Sequence, residues 1–352
     1  MKKFNGIGVM SGTSLDGVDV ANCEFFKADK KWQFKIFAAE TIVYSNIWKQ
    51  KLKTAHQISG FDLSMLHVEF GNYLGVIVNE FIKRNGCQPE FIASHGHTVF
   101  HQPEKGMTLQ IGDGSAIVAK TGIDVINDFR TLDVALGGQG APLVPVGDQE
   151  LFADYEFCLN LGGFANISFQ NKNKRIAFDI CPANIVLNQF ANKAGFDFDK
   201  DGNLAKVGKV NGVLLKSLNR LPFYYKKPPK SLGREWLEKE FLPVLSNSNL
   251  LVPDILSTLT EHIAIQTAKV VSEKPSGKML VTGGGAQNCF LIERLRYHSL
   301  HQIVIPDEKC IHFKEALVFA FLGVLRLMGE SNCLCSVTGA RHDCCSGTIY
   351  KA

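Results

Sequence analysis

The sequence has no apolar run long enough to cross a membrane, since no stretch approaches the ~18 residues such a helix needs. After Met1, Lys2 and Lys3 the apolar run is short and broken by Gly6 and Gly8. A secretion signal needs an apolar core of about 7–15 residues. No export signal is therefore expected, no membrane association follows, and the cytoplasm is the expected location. Strong charge of either sign is also missing, as 38 Lys and Arg against 34 Asp and Glu leave a net charge of +4. The densest basic stretch, Lys226 to Lys230, is interrupted by Pro228 and Pro229 and reads as a solvated loop rather than a nucleic-acid patch. The familiar nucleotide signatures are absent too. Gly17 is followed by Val18 where a P-loop requires Lys. No glycine turn reads G-x-G-x-x-G, which excludes the dinucleotide fingerprint, and there is no protein-kinase catalytic loop.

What is present is a chain of 352 residues, 45% hydrophobic and 20% charged. That is too long for one typical core, and its composition is that of a globular protein with two domains. Of the ten cysteines, Cys23, Cys158, Cys181 and Cys289 sit singly in apolar segments, where reduced cysteine acts as a small hydrophobe. The tail is denser, with Cys333, Cys335, Cys344 and Cys345 near His342. Those spacings lack the C-x₂₋₄-C pairs of structural zinc sites, so reduced thiols are expected.

Along the chain, β-rich runs alternate with glycine turns. Ile7–Met10, Val18–Phe26 and Trp32–Thr41 read as strands around a polar loop at Gly12–Gly17. A helix is expected over Leu63–Lys83, and then a strand at Phe91–Ser94. The same grammar returns at Phe157–Leu161, Ile167–Gln170 and Arg175–Asp179 around a loop at Gly162–Asn166. Apolar residues at Ile255, Leu259, Ile263, Ala264 and Val270 predict a helix with one buried stripe. Met279–Thr282 reads as a strand and Glu315–Met328 as an apolar helix. Two strand–loop–strand–turn–strand units, followed by helices, point to an α/β protein of two similar domains.

Three glycine-rich turns each follow a strand: Ser11-Gly12-Thr13-Ser14-Leu15-Asp16-Gly17, Gly162-Gly163, and Gly283-Gly284-Gly285. Glycine lets backbone amides approach a phosphate and form an anion-binding nest. Ser and Thr hydroxyls add donors, and Asp16 could hold Mg²⁺ directly or through water. A single such loop is usually a plain turn; three at strand ends favour a nucleotide. A duplicated strand–loop–strand grip on phosphates is the plan of the actin, Hsp70 and sugar-kinase superfamily.

The resemblance then becomes specific. Gly8-Val9-Met10-Ser11-Gly12-Thr13-Ser14-Leu15-Asp16-Gly17, Ser94-His95-Gly96-His97-Thr98-Val99 and Asn127-Asp128-Phe129-Arg130 resemble motifs of the anhydro-N-acetylmuramic acid kinase family. So do Gly138-Gln139-Gly140-Ala141-Pro142-Leu143, Asn160-Leu161-Gly162-Gly163, Phe178-Asp179 and Lys230-Ser231-Leu232-Gly233-Arg234-Glu235. Gly283-Gly284-Gly285-Ala286 and Val337-Thr338-Gly339-Ala340-Arg341 complete a series in family order over nearly the whole chain.

The resemblance implies an α/β, two-domain actin-like (ribonuclease H-like) sugar-kinase fold with an interdomain active-site cleft. The expected domains are residues 1–130 plus about 335–352, and residues 131–334. It implies an enzyme that opens 1,6-anhydro-N-acetylmuramic acid with water and phosphorylates O6 from Mg-ATP, in peptidoglycan recycling. A kinase for another anhydrosugar, such as levoglucosan, or a non-catalytic nucleotide-gated binding protein are the alternatives. By the same comparison Asp179 is the catalytic base. ATP is expected on Ser11, Gly12, Thr13, Ser14, Asp16, Gly17, Gly162, Gly163, Gly283, Gly284 and Gly285, with Asp16 at the metal. His97, Thr98, Asp128, Arg130 and Asn166 are the expected sugar contacts. Asp128 and Arg130 either form a structural ion pair or leave Arg130 to receive the lactyl carboxylate, which a guanidinium fork suits. His95, His97 and His101 have no nearby acidic or thiolate partner to support a metal reading. Where many family members have Thr-Gly-Pro after the aspartate, this chain has Ile180-Cys181-Pro182. A homodimer is the expected assembly.

Overall fold

The computed structural model describes residues 2–246 and 250–352. The chain divides into two compact units, one of Met1–Ala153 with Phe313–Ala352 and one of Asp154–His312.

In the first unit, β1 (Lys3–Ser11), β2 (Gly17–Ala28) and β3 (Lys31–Val43) form an antiparallel meander. The β2–β3 turn is two residues, Asp29 and Lys30, both at positive φ, which is the backbone a tight twisted hairpin demands. β4 (Phe91–Gln102) then joins β1 in parallel, β5 (Met107–Ile111) folds back on β4, and β6 (Asp124–Asn127) adds in parallel beyond β4. The short strand Thr348–Tyr350 closes that edge antiparallel to β6. Ile7, Val9, Val18 and Val20 are buried, as expected for central strands covered on both faces.

The second unit repeats the order. β7 (Phe157–Leu161), β8 (Phe164–Asn171) and β9 (Lys174–Pro182) form the meander, and β10 (Lys278–Thr282) and β11 (Gln302–Val304) extend it in parallel from β7. From meander edge to parallel edge the sheets read β3-β2-β1-β4-β6 and β9-β8-β7-β10-β11. The duplication expected from the glycine loops is therefore present strand for strand.

Helices cover the sheets. Gly60–Asn85 starts at Ser59, whose hydroxyl accepts the Asp62 amide at 3.1 Å, and stops at Gly86 in the left-handed region. Leu66, Phe70, Leu74, Ile77 and Phe81 form its core stripe. The helix Val252–Val271 is buried well beyond one stripe, because Thr258, Thr260, His262 and Gln266 are enclosed along with Leu259 and Ile263. Among the described residues no helix is long and apolar enough to cross a membrane.

The division into units departs from the expected boundaries: residues 131–153 and 313–334 pack with the first unit. The reason is long-range polar contact and close packing. Fully buried Asp133 accepts the Thr338 hydroxyl at 2.7 Å, and buried Lys314 pairs with Asp148 at 2.7 Å. The helix Glu308–Met328 lies so close to β1 that a Cβ at Gly8 would overlap the Ala316 carbonyl oxygen.

Candidate active site

In the first unit the carboxyl end of β1 meets the middle of β4, where Ser11 pairs with His97 just past a register shift. Tyr44 donates its hydroxyl to Ser11 Oγ at 2.6 Å, and Ser11 Oγ lies 2.9 Å from His97 Nδ1. A tyrosine that donates leaves the serine hydrogen for the imidazole, so Nδ1 accepts and Nε2 carries the ring proton. Burial holds the His97 pKa down to about 4, so the ring is neutral near pH 7. Thr98, also expected at the sugar, receives a bond from Gln110 Nε2 at 3.3 Å.

Beyond Ser11 the chain turns at Gly12–Asp16, closed by Leu15 N–H to Gly12 O at 3.4 Å. Thr13, Ser14 and Asp16 are exposed, and a Cβ at Gly12 would meet only Ser14 Oγ at 3.6 Å. This face is open to a ligand. Ser11 and Gly17 are different: Ser11 is 1% exposed, and a Cβ at Gly17 would stand 2.5 Å from the Ile42 carbonyl oxygen. Both shape the loop rather than face outward.

Asp128 and Arg130 turn to different partners. Asp128 Oδ1 accepts the Thr131 hydroxyl at 2.5 Å, while Arg130 Nε donates to His95 Nε2 at 2.9 Å and Nη1 to the Gly140 carbonyl at 2.6 Å. The ion-pair alternative is not formed. His95 Nε2 must accept from a guanidinium, so its proton sits on Nδ1, 2.9 Å from the Gly96 carbonyl. Burial, reinforced by the Arg130 charge, holds this imidazole well below its ordinary pKa.

The same unit holds two acids that the motifs did not single out. Glu315 is reached by water, yet the protein around it raises its carboxyl above the ordinary value, opposed by Arg130 and assisted by Asp19. Asp19 itself accepts the Thr41 hydroxyl at 2.6 Å. Neither lies in a glycine turn; the only sequence signal was a carboxylate opening an otherwise apolar helix.

In the second unit the two remaining glycine loops come together at the ends of adjacent parallel strands, β7 and β10. Gly283 adopts φ +79°, and a Cβ there would stand 2.9 Å from the Leu161 carbonyl carbon; one at Gly285 would stand 2.6 Å from Leu161 Cβ. Asn184 Nδ2 ties the loops further by donating to Leu161 O at 2.9 Å. Gly283 and Gly285 are thus needed for the loops to touch. Gly162, Gly163 and Gly284 have no neighbour closer than 3.3 Å to such a Cβ, and leave backbone accessible.

Asn160, Asn166 and Asp179 stand side by side across β7, β8 and β9, with a bulge between Ala165 and Asn166. A bulge re-aims side chains at a strand end, and here it sits beside the carboxylate. The Lys230–Leu232 segment holds Asp179 at two points: its N–H donates to Lys230 O at 3.1 Å, and Oδ2 accepts the Leu232 N–H at 2.8 Å. Oδ1 is left for other partners. Partial burial raises the carboxyl pKa, and the Leu232 bond offsets only part of that. The result is a fixed carboxylate more basic than a solvated one, which suits proton abstraction.

Duplicated sheets of this strand order, with glycine loops at the ends of parallel strands, are the two-domain actin-like arrangement expected from the sequence. The family described as anhydro-N-acetylmuramic acid kinase matches residues 5–352. A relative of that name from Vibrio vulnificus is 36% identical over 98% of both chains. One from Mannheimia succiniciproducens is 36% identical over 99% of this chain and all of its own. The chain belongs to the anhydro-N-acetylmuramic acid kinase family. Among solved structures, component A of the Acidaminococcus fermentans (R)-2-hydroxyglutaryl-CoA dehydratase aligns over 90% of this chain and 96% of that one. That likeness has 12% identity and a TM-score of 0.46.

Proposed function

We propose that this chain opens 1,6-anhydro-N-acetylmuramic acid with water and phosphorylates O6 from ATP, giving N-acetylmuramic acid 6-phosphate and ADP. The observation that carries the reading is Asp179, held by Leu232, desolvated, and made more basic than a free aspartate. Asp179 takes the proton of the water that attacks C1. The bridging oxygen, released from C1, becomes the O6 nucleophile toward the γ-phosphoryl group.

Gly12, Gly162, Gly163 and Gly284 leave room beside their backbone, and Thr13 and Ser14 are exposed, the residue types a phosphate-binding loop needs. Asp16 is exposed in the first loop, and an oxygen donor there fits Mg²⁺. Mg²⁺ would supply neutralisation of phosphate charge. Ser11, Gly17, Gly283 and Gly285 shape those loops. His97, Thr98, Asp128, Arg130 and Asn166 are proposed at the sugar. Neutral His97 offers Nε2–H as a donor, and Arg130 offers Nη2 to the lactyl carboxylate.

The protein is proposed to work in the cytoplasm as a homodimer. Phe61, Met65, Val68 and Val76 form an exposed apolar stripe at helical spacing on Gly60–Asn85, which a second copy would cover. Light scattering that gives a monomer mass would remove the dimer.

The reaction is tested by mass spectrometry of the product formed from the anhydrosugar and Mg-ATP in water labelled with heavy oxygen. A 6-phosphorylated sugar carrying one solvent oxygen at C1 is expected. A folded protein that binds ATP yet yields no sugar phosphate would overturn the substrate.

A further inference from the structure

Cys333 and Cys344, which the reaction above does not use, face each other across an isolated antiparallel bridge. Cys333 N–H donates to Cys344 O at 3.1 Å, and Cys344 N–H to Cys333 O at 3.2 Å. A pair exchanging both bonds has Cα atoms about 5.5 Å apart. That lies within the roughly 4.4–6.8 Å span a disulfide requires. The two sulfurs and one carboxylate oxygen of Asp133 all lie within 4.8 Å of one another. All are buried, and both cysteines are free thiols.

Two thiols and a carboxylate also suggest a metal, but the carboxylate is already committed. Asp133 Oδ1 accepts the Thr338 hydroxyl at 2.7 Å, and Oδ2 accepts the Gly140 amide at 2.8 Å. Gly138 packs so near that a Cβ there would stand 2.7 Å from Asp133 Cγ. Two thiols remain, too few to close a tetrahedral site, beside a fixed negative charge that opposes two thiolates.

We propose that Cys333 and Cys344 are a redox pair that closes an intrachain disulfide in the presence of a small disulfide of the glutathione class. The Cys344 thiolate attacks one sulfur of the small disulfide. Its S–S bond breaks, and the departing thiolate takes up the proton that Cys344 lost. Cys333 then loses its proton and attacks Cys344 Sγ, expelling the second small thiol, which carries that proton away. Two protein thiols are oxidised, and one small disulfide is reduced to two thiols. The order follows from what holds each sulfur: the Cys333 thiol donates to the Phe129 carbonyl at 3.7 Å, and the contact between the sulfurs favours the thiolate on Cys344 and disfavours it on Cys333. Cys344 is also the more accessible, at 6% against 1%.

Closure would tie off the segment Leu334–Asp343. That segment holds Thr338, whose hydroxyl fixes Asp133 and whose carbonyl accepts the Gln139 amide at 2.8 Å. The turn it braces ends at Gly140, whose carbonyl receives Arg130.

The test treats the full chain with oxidised glutathione, alkylates the remaining thiols, and maps tryptic peptides. Cleavage after Arg341 separates Cys333 and Cys335 from Cys344 and Cys345. The expected result is one linked peptide pair, lighter by two hydrogens than its separate halves. The link persists in the Cys335→Ala/Cys345→Ala double variant and disappears in Cys333→Ala. Full alkylation of all four thiols, a stable glutathione adduct, or a link that needs Cys335 or Cys345 would overturn the proposal. So would stoichiometric Zn²⁺ that alone shields Cys333 and Cys344 from alkylation, which would make the cluster a metal centre.

Discussion

The two sheets share strand order but not what stands at their ends. In the first unit, the junction of β1 and β4 is a buried polar relay, Tyr44 to Ser11 to His97, with an open polar turn beyond it. In the second, the junction of β7 and β10 is two glycines, Gly283 and Gly285, pressed against Leu161, and β9 carries an aspartate beside it. One backbone plan thus supports two kinds of chemistry, because ligand-facing groups are grafted at strand ends without disturbing the paired interior. The second unit's end is built of close backbone approach beside a fixed carboxylate, and the first unit's of a buried hydrogen-bonded chain.

The largest effect expected from breaking this contrast is at Asp179. Asp179→Asn keeps the shape and the Leu232 bond but removes the base, so turnover falls about 10²–10⁴-fold. The raised folded pKa means that ionising this carboxylate above that pKa costs stability near neutral pH. The variant is therefore expected to melt higher than the parent even as it loses activity. In the parent, activity declines as pH falls through the pKa of Asp179, above the ordinary aspartate range. Steady-state rates across pH, with melting curves, check both halves.

Next in size is a pair of glycine substitutions in the second unit. Gly283→Ala forces a side chain into positive φ and against Asn160 and Leu161, costing about 1–3 kcal/mol or more. Gly163→Ala meets nothing nearer than Ile185 at 3.9 Å and leaves stability nearly unchanged. If Gly163 faces phosphate, the second variant raises the KM for ATP while the first lowers the unfolding midpoint. Equal melting points for the two would contradict the sorting of these glycines.

The first unit makes its own signature in pH dependence. The His97 pKa lies near 4 in the fold against about 6.5 unfolded, so its contribution is fully present above about pH 6.5. It is lost as pH falls toward 4, amounting to about 3 kcal/mol when the proton is fully taken up. His95 and His262, also held low by burial, add to the same slope. Denaturant midpoints of His97→Gln should therefore depend less steeply on pH in this window than those of the parent. An unchanged slope would mean that His97 is not held neutral.

Much of this was legible in the sequence. The strands of both meanders and their glycine loops were readable because alternation and turn chemistry are encoded within a few residues, whereas Asp179 stood out only through the family resemblance. The domain boundaries were not, because they depend on contacts such as Asp133 with Thr338, separated by 205 positions. Nor was the Leu232 amide that fixes Asp179, since a backbone N–H carries no residue signature. Glu315 was hidden inside an apolar helix. Ser11 read as a phosphate ligand because Ser-Gly-Thr is a phosphate-loop composition, whereas burial turns its hydroxyl inward.

Ser11 gives the smallest effect and the sharpest distinction. Ser11→Ala removes the link between Tyr44 and His97, leaving a buried phenol donor and a buried imidazole acceptor without their partner. An unpaired buried polar group costs about 1–3 kcal/mol. If the hydroxyl serves only this relay, the variant loses stability by that amount while the KM for ATP stays within about twofold. If it also touches phosphate, KM rises instead by roughly the tenfold that 1.4 kcal/mol represents. Tyr44→Phe separates the cases, since it removes only the donor and leaves Ser11 free to serve His97. A loss of stability in both variants without a change in KM would assign Ser11 to the scaffold of the first unit, and the nucleotide to the open turn beyond it.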